Sequence, residues 1–110
     1  MDKIYHYNAH VCKIYDADTI TCDIDCGFGI IMRKQKIRLY GLDAPEIRGQ
    51  NKKIGIISRD KLREKILNKD IILQTIKDKK GKYGRWLGII YHHNININEW
   101  LIENGLAKIY

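Results

Sequence analysis

Val11-Cys12-Lys13-Ile14-Tyr15-Asp16-Ala17-Asp18-Thr19-Ile20-Thr21-Cys22-Asp23-Ile24-Asp25 reads as two strands meeting at an acidic turn. Val11 to Tyr15 is a short β-rich run, and Asp16-Ala17-Asp18 has the composition of a turn. Beyond it Ile20, Cys22 and Ile24 alternate with Thr21, Asp23 and Asp25, the period-two pattern of a strand with one buried face. Cys26-Gly27-Phe28-Gly29 supplies a second turn. Ile30 to Leu42 then returns as a third strand, bulged near Gln35, and the three form an antiparallel meander.

Outward from the meander the period changes. A helix is expected from Lys53 to Leu67, where Ile54, Ser58, Leu62 and Ile66 fall four apart while Arg59, Lys61, Arg63 and Lys65 lie off that stripe. Gly55 weakens its first turn and blurs its start. Ile71–Ile76 and Trp86–Tyr91 are expected as strands four and five, joined by a hairpin over Lys77–Gly84. A short second helix is expected over Asn98–Asn104. Asn98, or Asn96 with Glu99 three residues on, can cap it, and Gly105 fits its left-handed end. This order predicts a mainly β fold with α (α+β), a five-stranded OB-type barrel decorated by two helices. Closure of the barrel hides strand edges that would otherwise be exposed.

The chain has 110 residues, one proline, no low-complexity linker and no repeat, so a single domain over 1–110 is expected. Apolar residues at 45% and charged residues at 30% are ordinary for a globular protein and exclude a disordered one. A net charge of +7 favours polyanions, either nucleic acid or an anionic membrane. No apolar run approaches the roughly 20 residues of a spanning helix, so nucleic acid is the expected partner and a membrane is not. Met1 to His6 carries no apolar stretch suited to a secretory signal, which fits a cytoplasmic protein or a secreted form whose leader has been removed. Cys12, Cys22 and Cys26 are an odd count without a disulfide framework and read as small apolar side chains of a reduced protein. His92 and His93 are adjacent strand residues facing opposite ways, hence poor partners for one metal. Trp86, Tyr91 and Trp100 read as core or groove-wall aromatics.

Four clusters carry chemistry, each in or beside a turn. Asp16-Ala17-Asp18-Thr19 joins the first two strands. Arg38-Leu39-Tyr40-Gly41-Leu42-Asp43-Ala44-Pro45-Glu46 ends the third, with a proline stiffening the approach to Glu46. Tyr83-Gly84-Arg85 enters the fifth, where a guanidinium can grip phosphate and a tyrosine can stack on a base. Lys77-Asp78-Lys79-Lys80-Gly81-Lys82 is a basic loop that attracts phosphate nonspecifically. Each alone is an ordinary charged turn. Together they meet the needs of phosphodiester hydrolysis. Asp18 and Asp43 can hold one hard cation. Arg38 and Arg85 can stabilise the charge of a pentacoordinate transition state. Glu46 can orient or deprotonate the attacking water. No serine, cysteine or histidine triad is present.

Asp-Ala-Asp-Thr (16–19), Arg-Leu-Tyr-Gly-Leu-Asp-Ala-Pro-Glu (38–46), Lys-Tyr-Gly-Arg (82–85) and the Asn-Glu…Asn-Gly-Leu-Ala-Lys run (98–108) resemble, in this order, the staphylococcal nuclease (thermonuclease) family. The similarity runs from Val11 to Lys108. The resemblance implies a calcium-dependent nuclease of DNA and RNA, with one ion bound by the carboxylates of Asp18 and Asp43 and the backbone carbonyl of Ala44. It implies phosphate-binding roles for Arg38 and Arg85, water activation by Glu46, nucleotide contacts from Lys82 and Tyr83, and 3′-phosphate products. The expected enzyme is a phosphodiesterase of low sequence specificity, acting on single-stranded DNA and/or RNA as a monomer. The rival is a nucleic-acid-binding module that kept the barrel without the activity. Two departures stand out. Ala17 replaces the usual turn glycine, and the chain stops at Tyr110, so the C-terminal helix of longer members is expected to be missing.

Overall fold

The computed structural model describes residues 5–80 and 85–110. Strand β1 (His6–Asp16) pairs antiparallel with β2 (Thr19–Asp25), and β2 with β3 (Ile31–Leu39), which is the expected meander. β1 begins five residues earlier than Val11, because His6 to His10 find partners on β5 (Asp70–Lys80). β6 (Trp86–His92) pairs antiparallel with β5 and closes the sheet by a short parallel pairing with β3, Ile37 opposite Trp86 and Leu39 opposite Gly88. The result is the closed five-stranded barrel expected from the order of elements. Ile14, Ile20, Ile37, Leu39, Leu73 and Ile90 fill it and are fully buried, each contributing about 1.5–3 kcal/mol over an exposed position. Among the described residues no helix is long and apolar enough to cross a membrane.

The third strand is shorter than expected. It ends at Leu39, because Gly41 turns the chain with φ +82 and redirects it into β4 (Leu42–Asp43). β4 pairs with β8 (Lys108–Ile109) rather than continuing the barrel strand, so Asp43 is set at the barrel rim. The bulge lies where it was expected. The β2–β3 register shifts between Cys22 and Ile24, opposite Lys34 with its φ of +55. β5 runs on to Lys80, four residues beyond the expected end at Ile76. The remainder of the expected hairpin, residues 81–84, lies outside the described residues.

Helix α1 spans Lys52–Ile66, one residue earlier at each end than expected. Its buried stripe is Gly55, Ser58, Leu62 and Ile66, so Ile54 is wrongly placed by the four-residue spacing and is 54% exposed. Gly55 takes its position because the helix start lies directly against the backbone of Glu46 and Pro45. Helix α2 spans Ile97–Glu103, preceded by the two-residue β7 (Ile95–Asn96). Asn96 caps it, its side chain accepting from Glu99 N–H at 3.0 Å. Asn98 has another task. Buried, it accepts from Ile90 N–H at 3.1 Å and donates to the carbonyls of Tyr40 (2.9 Å) and Gly88 (3.1 Å), tying α2 to β6 and to the turn after β3. Cys12, Cys22 and Cys26 are free thiols.

Candidate active site

The turn between β1 and β2 places Asp18 under the rim of the barrel. Its backbone carbonyl accepts from Leu39 N–H at 2.8 Å, fastening the turn to the end of β3. Its side chain is almost buried and surrounded by donors. Oδ2 lies 2.6 Å from the Arg38 guanidinium and accepts from Ala44 N–H at 2.9 Å, while Oδ1 accepts from the Thr19 hydroxyl at 3.0 Å. Arg38 also reaches Asp43 at 3.3 Å, so one guanidinium bridges the two carboxylates assigned to the cation. Arg85, from the start of β6, donates to Thr19 Oγ1 at 3.3 Å.

These residues border one open cavity of about 460 Å3, whose lining includes Asp16, Asp18, Thr19, Arg38, Asp43, Ala44, Glu46 and Arg85. Six of the eight site residues expected from sequence therefore converge. Lys82 and Tyr83, the other two, lie outside the described residues. Lys13 and Lys36 add positive charge to the walls. Sequence reasoning singled out the cluster from Asp16 to Thr19 but gave Asp16 no role of its own. It also left Tyr110 unassigned, whose ring lies 5.9 Å from the Arg38 guanidinium carbon. The only sequence signal for Asp16 was its spacing of two from Asp18.

Asp16 and Asp18 share a hydrogen bond, and their carboxyls are driven apart in acidity. Burial, the bond to Asp18 and the charge of Asp18 push Asp16 up to about 7. Burial also opposes ionisation of Asp18. The bonds from Asp16 and Ala44 N–H, the Arg38 charge and the Thr19 hydroxyl outweigh it, so Asp18 is held below the usual carboxylate range. Asp16 and Asp18 thus bring carboxylate oxygens, the ligands a hard dication takes, into one half-buried corner beside the Arg38 guanidinium. The donors present fit calcium or magnesium in this respect. Among the described residues no three His, Cys, Asp or Glu side chains cluster as a metal cage. A cation would draw further ligands from backbone, water or substrate.

The Asp16 shift has a consequence for the metal-free protein. A carboxyl at about 7 when folded and 3.8 ordinarily favours folding at low pH, and that contribution is lost as pH rises through about 7. In chelator, the difference in melting temperature between wild type and Asp16→Asn is therefore expected to change between about pH 4 and 7 and to level off above, wild type losing ground. Parallel melting curves across that range would mean that the Asp16 carboxyl is not raised.

The family described as "Staphylococcal nuclease homologue" matches residues 36–110. An uncharacterized protein of Methanocaldococcus jannaschii is 30% identical over 135 residues, covering 100% of this chain and 62% of its own. An uncharacterized endonuclease of Haemophilus influenzae is 32% identical over 100 residues, covering 91% of this chain and 51% of its own. A thermonuclease of Staphylococcus hyicus is 30% identical over 101 residues, covering 89% and 56% respectively. The chain thus spans between 51% and 62% of the length of these relatives.

Proposed function

The chain is a nuclease-type domain of the staphylococcal nuclease family, and from that premise we propose that it hydrolyses phosphodiester bonds of DNA and/or RNA with one calcium ion. The observation that carries the proposal is the convergence of Asp18, Arg38, Asp43, Glu46 and Arg85, from three separate sequence blocks, on one open cavity. Single strands are the preferred substrate in this proposal, and the contacts it assigns to the cavity are to phosphate. The same contacts give low sequence specificity.

Asp18 and Asp43, with the Ala44 carbonyl, would hold the cation, which supplies Lewis-acid polarisation of a phosphate oxygen when bound. Arg38 is held by Asp18 and Asp43 with its fork at the cavity edge, ready to receive a phosphate oxygen. Arg85 approaches from β6 and presents a second guanidinium to the same phosphate. As attack proceeds the phosphorus gathers negative charge, and two cations fixed in place need no reorganisation to meet it. Glu46 is exposed, lines the cavity and has no ion pair among the described residues, so its carboxylate is open to a water there.

Cleavage of a fluorescent single-stranded DNA, with calcium or with chelator, tests this reading. Calcium-dependent cleavage is expected. Glu46→Gln should lower turnover by about 10²–10⁴-fold while leaving the dissociation constant unchanged. Cleavage that survives chelation would remove the cation. No cleavage, with binding that weakens steeply as salt rises, would make the chain a binding module.

A further inference from the structure

A second cavity, of about 250 Å3, adjoins the first and shares Tyr15, Asp16 and Glu46 with it, with Ile47 and Arg48 completing it. Arg48 borders this cavity and Arg85 the first, while Glu46 lines both. Tyr15 is 44% exposed, and Ile47 is half-buried beside it. Arg48 is exposed, in extended conformation ahead of the short turn Gly49–Asn51, and has no hydrogen-bond or ion-pair partner among the described residues.

A polynucleotide whose phosphate reacts beside Glu46 must continue past it. We propose that the Tyr15–Arg48 cavity is a subsite for the nucleotide next to the reacting phosphate. Its base stacks on Tyr15 over Ile47, and its outer phosphate meets Arg48. The carboxylate of Glu46 decides this orientation. On the shared wall it repels a phosphate from the interior, whereas an uncharged base is accepted there. Arg48 at the rim is the one cation of the cavity among the described residues and takes the charge that the interior refuses. The inference rests on the nuclease reading for the identity of the ligand.

Binding of thymidine monophosphate and of oligothymidylates two to five nucleotides long, measured by anisotropy in chelator so that nothing is cleaved, separates the two ideas. Tyr15→Ala should weaken binding roughly tenfold for oligomers of two or more nucleotides and leave the mononucleotide unchanged. Arg48→Gln should do the same to a lesser extent and reduce the salt dependence of the longer oligomers by about 0.7 in slope. Both side chains are exposed, so matched melting temperatures check that folding is intact. Losses equal at every length, or absent at all of them, would overturn the subsite. Length-dependent losses in a protein that never cleaves would keep the subsite and overturn the nuclease reading. A wild-type chain that binds none of the oligomers overturns both.

Discussion

Arg38→Ala is expected to lower stability and cleavage rate together. The guanidinium lies 2.6 Å from Asp18 and 3.3 Å from Asp43, and the Asp18 side chain keeps only 10% of its exposure. Removing the arginine leaves a buried carboxylate with hydrogen bonds but no opposite charge, a change that costs about 3–5 kcal/mol at comparable sites. Asp18 retains Ala44 N–H and the Thr19 hydroxyl, which places the loss at the lower end, near 3 kcal/mol. For a domain of this size that is a fall of about 10–20 °C in melting temperature. The rate should fall by about 10²–10³-fold, as for loss of one fixed donor to a developing oxyanion. Arg38→Lys separates the two effects. It restores a charge near Asp18 but not the fork that spans both carboxylates and a phosphate, so stability should recover more than turnover. Melting in chelator and cleavage in calcium are the measurements. A melting temperature within about 2 °C of wild type for Arg38→Ala would mean that the pair contributes nothing to the fold.

The arginine also marks how far the sequence can be read. Arg38, Asp43 and Glu46 stood out because a basic residue and two carboxylates gather in and beside the turn that ends the third strand. That Arg38 bridges Asp43 to Asp18 was not legible, since the two carboxylates lie on opposite sides of a strand pairing. The alternation of Ile20, Cys22 and Ile24 revealed the meander locally. The parallel closure of β3 on β6 had no such mark, because Ile37 and Trp86 are far apart in sequence and each looks like any barrel residue. The overlong third strand has a related cause. Leu39 and Leu42 are both buried and read as one run, but the chain turns between them at Gly41, and Leu42 pairs instead with Ile109. Tertiary pairing overrode the local pattern there, as it commonly does. Asp16 was hidden for the opposite reason. A carboxyl in a turn is unremarkable until burial and the neighbouring Asp18 push its pKa up.

Gly55 shows the same limit at the helix. The spacing rule chose Ile54, whereas the buried position is the glycine, and the neighbour it admits is Glu46. A Cβ at Gly55 would meet the Glu46 carbonyl oxygen, lie 2.5 Å from its carbon and 2.9 Å from the Pro45 carbonyl oxygen. These are backbone atoms, so no flexible side chain can swing aside. Alanine in a helix gains about 0.5–1 kcal/mol over glycine, but relieving such an overlap costs about 1–3 kcal/mol, and the second effect wins. The shift falls on one of two segments. Ala44, just ahead of Pro45, is fastened to Asp18 through its N–H, and α1 is fastened by Leu62 and Ile66 in the core. The least restrained atoms between these anchors are those of Glu46 and Ile47. Gly55→Ala should therefore displace the proposed water-activating carboxylate and reduce turnover by about 10²-fold, the cost of roughly 1 Å of misplacement. DNA binding should stay near wild type and the melting temperature should fall by several degrees. In a Glu46→Gln background the same substitution should cost no further turnover, because the group it displaces no longer acts. A Gly55→Ala protein that cleaves at the wild-type rate and melts higher would show that the helix start yields instead, and that the close approach of Gly55 to Glu46 serves packing alone.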